Sequence, residues 1–125
     1  MAVTRWIGVF SCAGLLLATT AVSTDDALRI QVSPAVSRAP AVLTIRVTVE
    51  PSADNRSLQV VAESATFYRS SEIVIDGTSA PPLQVLEFQK VPAGLYQVTA
   101  VLVGAQGPRA TVQRLVKVEP ATGSP

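Results

Sequence analysis

The chain has 125 residues, with 10 basic and 9 acidic side chains, no histidine and one cysteine, Cys12. The charges are scattered and the net charge is only +1, which argues against nucleic acid and anionic membrane surfaces as partners. Without histidine, the chain lacks the usual base of a nucleophilic site and the usual zinc ligands. We therefore predict no catalytic residues, no metal site, no cofactor and no enzyme activity.

The first 23 residues have the order of a secretory signal peptide. Arg5 gives a basic start, the uncharged stretch "WIGVFSCAGLLLATTAV" follows, and small residues stand at Ala21 and Ser23. This order predicts a signal-peptide helix over 1–23 and export to the periplasm or the exterior by a Sec-type signal. Cleavage is expected after Ser23. The alternatives are cleavage after Ala21, or retention as an anchor by an apolar run somewhat shorter than the roughly 20 residues of a spanning helix.

Removal of the first 23 of the 125 residues leaves 102 residues without cysteine, histidine or tryptophan. This length suits one compact domain, which we place over 24–119, and the stretch "PATGSP" at 120–125 reads as a flexible tail. The domain would have no disulfide, so its stability would depend on its apolar core.

Alternation of apolar and polar residues dominates the chain after Ala27. In "LTIRVTVE", for example, Leu43, Ile45 and Val47 share one face, and a period of two is typical of a strand with one buried side. Clusters of Pro, Gly, Asn and Asp separate such runs at short intervals. The pattern predicts an all-β fold, a seven-stranded antiparallel Greek-key sandwich. Its strands are expected at 27–33, 42–50, 57–63, 72–76, 83–90, 95–103 and 110–119.

A tyrosine begins the buried face of the sixth predicted strand, directly after a tight turn. The stretch "VPAGLYQVTAVL" places Pro92 and Gly94 in the turn and Tyr96 at the start of the alternation. A buried tyrosine needs a partner for its hydroxyl, and in Greek-key sandwiches a tyrosine at such a corner bonds back to the preceding connection. We therefore predict that Tyr96, Pro92 and Gly94 form a structural corner.

The same stretch, with "IVIDG", "LEFQK" and a closing "ATVQRLVKVE", resembles bacterial immunoglobulin-like and fibronectin type III-like domains. It is also similar to carboxypeptidase regulatory-like, or prealbumin-like, domains, and the choice between the two topologies stays open. The resemblance implies a binding, spacing or scaffolding role outside the cytoplasm. The cysteine pair and core tryptophan of antibody-type domains are absent from the predicted domain.

One stretch breaks the alternation between the third and fourth predicted strands. "ESATFYRSSE" holds Phe67, Tyr68 and Arg69 in a row, and aromatic residues with arginine on a loop are the composition of binding hot spots. We name these three residues as the candidate partner-binding site. The alternative is structural, with one ring closing an end of the sandwich and the other lying over a strand edge.

The leading hypothesis from the sequence is a secreted, non-enzymatic module that binds or supports another envelope or extracellular protein. A carbohydrate- or small-ligand-binding module is the alternative. Self-association is a further possibility, because the last predicted strand carries Arg114 on the face of Val112, Val116 and Val118, which indicates a bulge or an exposed edge. The oligomeric state stays open.

Overall fold

A computed structural model describes residues 21–24 and 27–121 of the chain. Within these residues the chain forms nine strands and one short 3₁₀ turn, Gly77–Ser79. The strands are β1 (Ala21–Thr24), β2 (Leu28–Ser33), β3 (Val36–Arg38), β4 (Ala41–Val49), β5 (Asn55–Glu63), β6 (Tyr68–Val74), β7 (Leu83–Val91), β8 (Gly94–Gly104) and β9 (Gly107–Glu119).

The strands form two sheets, so the predicted all-β class is confirmed. One sheet has four strands in the order β1-β2-β4-β7, and the other has five in the order β3-β9-β8-β5-β6. Neighbouring strands are antiparallel except β3 and β9, which run parallel. β8 is the middle strand of the five-stranded sheet, with two strands on each side.

The described residues contain nine strands, where the sequence analysis expected seven. β3 is one of the two additional strands. It lies within "SPAVSRAP", whose prolines predicted a turn, yet Val36, Ser37 and Arg38 pair with residues 117–119 of β9. A strand of three residues carries too little alternation to be recognised, and its pairing is with residues far along the chain.

The other additional strand, β1, overlaps the predicted signal peptide. Residues 21–24 pair with β2, and the last of these pairs joins Thr24 to Arg29. Cleavage after Ser23 would therefore remove all of β1 except Thr24. The predicted signal-peptide helix otherwise lies outside the described residues, as does most of the predicted tail.

The fourth predicted strand was placed too late in the chain. It was expected at 72–76, whereas β6 covers Tyr68–Val74 and pairs with β5 along its whole length. Tyr68 and Arg69 therefore lie in a strand and not in a loop. Ser70 and Ser71 interrupt the alternation of apolar and polar residues, so the first half of this strand was not predicted.

The core lies between the sheets and contains the side chains that the alternation placed inward. In β4 the buried positions alternate with exposed or half-buried ones, and Leu43, Ile45 and Val47 have no exposed surface. β5 buries Leu58, Val60 and Ala62. Removal of this apolar surface from water is the main stabilising contribution to such a fold. Among residues 21–24 and 27–121, no helix has the length and apolar character that a membrane crossing needs.

Candidate functional site

The tyrosine of the predicted corner closes one end of the sandwich. Tyr96 begins the inward face of β8, has no exposed surface, and donates its hydroxyl to the carbonyl oxygen of Pro92 at 2.7 Å. A Cβ atom at Gly94 would lie 3.4 Å from both Ser64 and the Tyr96 ring. The turn before β8 is thus held against the start of that strand, and its small residue leaves room for the ring.

Phe67 and Arg69 belong to the same end of the sandwich. The Phe67 ring meets the Tyr96 ring edge to face, with centroids 5.9 Å apart, and the guanidinium carbon of Arg69 lies 5.2 Å from the Phe67 centroid. Arg69 also donates from Nη1 to the carbonyl oxygen of Gln89 in β7 at 2.7 Å. These contacts join β6 of one sheet to β7 of the other, so both side chains have structural partners within the domain.

Tyr68 points the other way, onto the outer face of the five-stranded sheet. It pairs with Glu63 across β5 and β6, and 62% of its surface is exposed. Directly paired residues share a face of the sheet. The structure thus separates the three candidate partner-binding residues, with Phe67 and Arg69 at the end of the sandwich and Tyr68 on an outer surface.

Three exposed apolar side chains lie on the same outer face as Tyr68, on its middle strand and on the two strands beyond it. Val36 of β3, Leu95 of β8 and Leu115 of β9 are 57%, 72% and 67% exposed. They line one shallow hollow together with Ala35, Arg114 and Lys117. Exposed apolar patches on a soluble domain commonly mark an interaction site. We call Val36, Leu95 and Leu115, with the hollow between them, the apolar hollow.

The register of the sheet relates the apolar hollow to Tyr68. Leu115 pairs with Gln97, Gln97 with Glu63, and Glu63 with Tyr68, which forms one row across the outer face. The next row runs from Val36 through Lys117 to Leu95. Tyr68 lies two strands to one side of β8 and Val36 lies two strands to the other.

The charges on this face are arranged around β8 in the same way. Lys117 is on β9, one strand from β8, and Glu63 is on β5, one strand away on the other side. Both are exposed, and Lys117 forms an exposed ion pair with Glu119 on its own strand, with 3.8 Å between Nζ and Oε2. The outer face therefore carries Lys117 and most of the apolar hollow on one side of its middle strand. Glu63 and the Tyr68 ring lie on the other side.

Arg114 stands where the alternation of β9 calls for an apolar residue. Its neighbours on the inward face, Val112 and Val116, are buried, and Arg114 itself is half-buried. Its buried Nε atom has no hydrogen-bond partner among the residues that the structure describes. β3 pairs only with residues 117–119 of β9, so no described strand is paired with β9 at Arg114 on that side. The position is an open edge, one of the two alternatives that the sequence left open.

A polar cluster closes the opposite end of the domain. Asn55 is 1% exposed, donates from Nδ2 to the carbonyl oxygen of Glu50 at 3.0 Å, and accepts a hydrogen bond from Nη1 of Arg109. Asp54 lies 3.4 Å from Nε of Arg109 and accepts from the backbone of Ala105 at 3.2 Å. These side chains tie the β4–β5 connection to the β8–β9 hairpin, which is a structural role.

The comparisons with known proteins show the fold of the chain. No family model matches it, and no curated protein sequence does. It is similar in structure to the superoxide reductase (neelaredoxin) from Ignicoccus hospitalis, with a TM-score of 0.61 and 13% identity over 78% of this chain and 83% of that chain. Two variants of the same enzyme match with a TM-score of 0.58 and 14% identity, over 72% of this chain and 79% of theirs.

These comparisons overturn two expectations from the sequence. The three solved structures named above are superoxide reductases, so the assignment to immunoglobulin-like, fibronectin type III-like or prealbumin-like domains is wrong. Strand alternation and a tyrosine after a turn did not discriminate between these families. The expectation of a non-enzymatic binding module is contradicted as well, because these neighbours are redox enzymes, and the carbohydrate- or small-ligand-binding alternative gains no support. At 13–14% identity the likeness establishes the fold alone.

The residues of this chain do not fit the redox centre that such an activity implies. One-electron chemistry on oxygen species is carried by haem, flavin, copper or non-haem iron. Imidazole and thiolate are common ligands of iron and copper, whereas this chain has no histidine and its one cysteine lies outside the described residues. Residues 21–24 and 27–121 also hold no group of three or more acidic, cysteine or histidine side chains that could bind a metal ion.

The apolar hollow was missed by the sequence analysis. Leu95 and Leu115 stand at positions where the alternation of their strands calls for polar residues. These two apolar residues at outward positions were the available signal. The sequence pattern pointed instead to Arg114, the residue before Leu115, as a polar residue at an inward position. Val36 could not be found in this way, because its strand is too short to show a pattern.

Proposed function

We propose that this chain is a homotypic assembly module, in which two copies pair through the outer face of the five-stranded sheet. The observation that carries the proposal is the symmetric arrangement around β8. A two-fold axis that lies between two facing copies, nearly along β8, brings the β9 side of one copy over the β5 side of the other. Such an isologous contact requires a surface that is complementary to itself.

The charges of the face meet this requirement. In the paired arrangement, Lys117 of each copy lies over Glu63 of the second copy. The two residues differ by one row, an offset of about 7 Å along the strands. The reach of the two side chains and a small tilt of the axis span this offset. Complementary charges of this kind favour one partner and one register.

The apolar side chains of the face are also arranged so that the surface is complementary to itself. The axis brings Leu95 close to Leu95 of the second copy and places Tyr68 over the side that holds Val36. Aromatic side chains are enriched at the cores of protein interfaces, whereas lysine and glutamate are common at their rims. The face spans about 19 Å across its five strands, which is narrow for a stable dimer. We therefore expect weak pairing, with a dissociation constant in the micromolar range.

Sedimentation equilibrium from low micromolar to millimolar concentrations tests the proposal. The chain is expected to shift from monomer to dimer, and Leu95→Glu is expected to remain a monomer because it places two like charges at the axis. Val85→Glu is the matched control, since Val85 is 52% exposed on the outer face of the other sheet. A wild-type chain that stays monomeric, or equal loss of pairing in both variants, would refute the proposal.

Export belongs to the same proposal, because residues 1–23 carry the features of a signal peptide. Pairing would then take place outside the cytoplasm. The mass of the purified protein after expression of the full chain tests this part, and a mass that includes residues 1–23 would contradict cleavage.

A further inference from the structure

We infer that Arg114 is the residue that selects the register of pairing, by receiving Tyr68 of the second copy in the apolar hollow. This inference rests on the proposed function and names the contact that would decide it. Three features support it, namely an arginine in the wall of the hollow, an exposed aromatic ring on the outer face, and the positions of Tyr68 and of the Val36 end of the hollow, each two strands from β8 on opposite sides.

The lining of the hollow suits an aromatic ring. Val36, Leu95 and Leu115 supply apolar walls, and Arg114 and Lys117 supply the positive groups. An aromatic ring is favoured in such a place, because its apolar edge contacts the aliphatic walls and its face attracts a cation. Arginine is better suited than lysine to this contact, since its planar group stacks on a ring.

Among the described residues, Arg114 has no hydrogen-bond partner for its Nε atom. That atom is buried, and buried polar groups are nearly always paired. Arg69 shows the contrast, because its guanidinium group already stacks on Phe67 and donates to Gln89. An arginine on the inward face of a strand, left without a partner at an open edge, indicates that its partner comes from outside the domain.

Tyr68 is the ring that the two-fold axis delivers to the hollow. It lies on β6, two strands from β8, and the hollow extends in the other direction, from Leu95 of β8 across β9 to Val36 of β3. Among the described residues it is the aromatic side chain with an exposed position, at 62% exposure. In the pair, the ring would lie against the Arg114 guanidinium group and the hydroxyl would accept a hydrogen bond from it. Two such contacts form in each dimer.

A mixing experiment tests this contact separately from pairing itself. A Tyr68→Ala chain and an Arg114→Gln chain each lose both contacts as homodimers, but a mixed dimer regains one of them. The mixed dimer is therefore expected to form at least about twofold more tightly than either homodimer, since contacting residues are coupled by roughly 0.5–3 kcal/mol. The dissociation constants are measured by sedimentation with a fluorescent label on one chain, and urea unfolding verifies that each variant is folded.

The matched control is a mixture of Tyr68→Ala with Gln113→Ala, which removes a neighbour of Arg114 that faces outward on the same strand. That mixture is expected to gain nothing beyond the average of its two homodimers. If the wild type pairs through this face but the Tyr68→Ala and Arg114→Gln chains show no preference for each other, the contact is wrong and the proposed function stands. If the wild type is monomeric, both are wrong.

Discussion

The Tyr96 hydroxyl donates to the carbonyl oxygen of Pro92 at 2.7 Å, which links the first inward side chain of β8 to the turn that precedes it. The same ring contacts the ring of Phe67, the residue directly before β6, with centroids 5.9 Å apart. One side chain therefore joins the turn, the middle strand and the segment that leads to Tyr68. The end of the domain that carries the proposed pairing surface depends on this residue for its shape.

Tyr96→Phe is expected to destabilise the domain by about 1–3 kcal/mol, because it leaves a carbonyl oxygen without its donor. Urea unfolding measures the change. Tyr68→Phe is the control, since it also removes one phenolic hydroxyl, but from an exposed ring, and should change stability by less than about 0.5 kcal/mol. Superimposable unfolding curves for Tyr96→Phe and the wild type would show that this hydrogen bond has no structural weight.

Asn55 is expected to stabilise the opposite end by a similar mechanism. Asn55→Ala removes the donor to the Glu50 carbonyl oxygen and the acceptor for Arg109, and should cost about 1–3 kcal/mol in the free energy of unfolding. Asp54→Ala provides the comparison, because it removes a partly exposed ion pair with Arg109 and an exposed hydrogen bond from Ala105, and it should cost less than about 1 kcal/mol. A larger loss from Asp54→Ala than from Asn55→Ala would reverse this assignment.

Gly104 is expected to accept a side chain only if neighbouring side chains shift. A Cβ atom there would lie 2.5 Å from Oδ2 of Asp54 and 2.7 Å from Cδ of Arg109. Gly104→Ala must therefore displace the polar cluster, at a cost of roughly 1–3 kcal/mol. Thermal unfolding of Gly104→Ala beside the Asp54→Ala/Gly104→Ala pair separates the causes. Removal of the Asp54 carboxylate should recover part of the loss, and no recovery would place the clash on Arg109 alone.

Lys90 is expected to carry backbone strain. Its φ is +58°, and it lies where two residues of β7, Gln89 and Lys90, face the single residue Val42 of β4. Lys90→Gly should leave stability unchanged or raise it by up to about 1 kcal/mol, whereas Lys90→Val should lower it by roughly 1–2 kcal/mol. Gln59→Val, at an exposed position of β5, is the control and should cost nothing, because valine suits a strand. Equal effects of valine at both positions would argue against strain at Lys90.

The sequence predicted which side of each long strand is buried, but it predicted little about which strands lie next to one another. Alternation assigned Leu43, Ile45 and Val47 to the core because burial repeats with the period of the backbone itself. The partners of β3 and β9, and the contact of Arg69 with Gln89 from the other sheet, depend on strand order, which no local pattern records. The proposed pairing surface was harder still to see, since it consists of residues such as Leu95 and Leu115 that violate the pattern.

The central claim is that Lys117 of one copy meets Glu63 of the second, and a charge exchange tests it most directly. Lys117→Glu alone and Glu63→Lys alone each place like charges opposite one another twice in a dimer. Each is expected to weaken pairing by about tenfold, from two surface pairs worth up to about 1 kcal/mol each. The chain with both substitutions should pair as the wild type does, as measured by sedimentation equilibrium at low salt. A doubly substituted chain that pairs no better than the single variants would contradict the account.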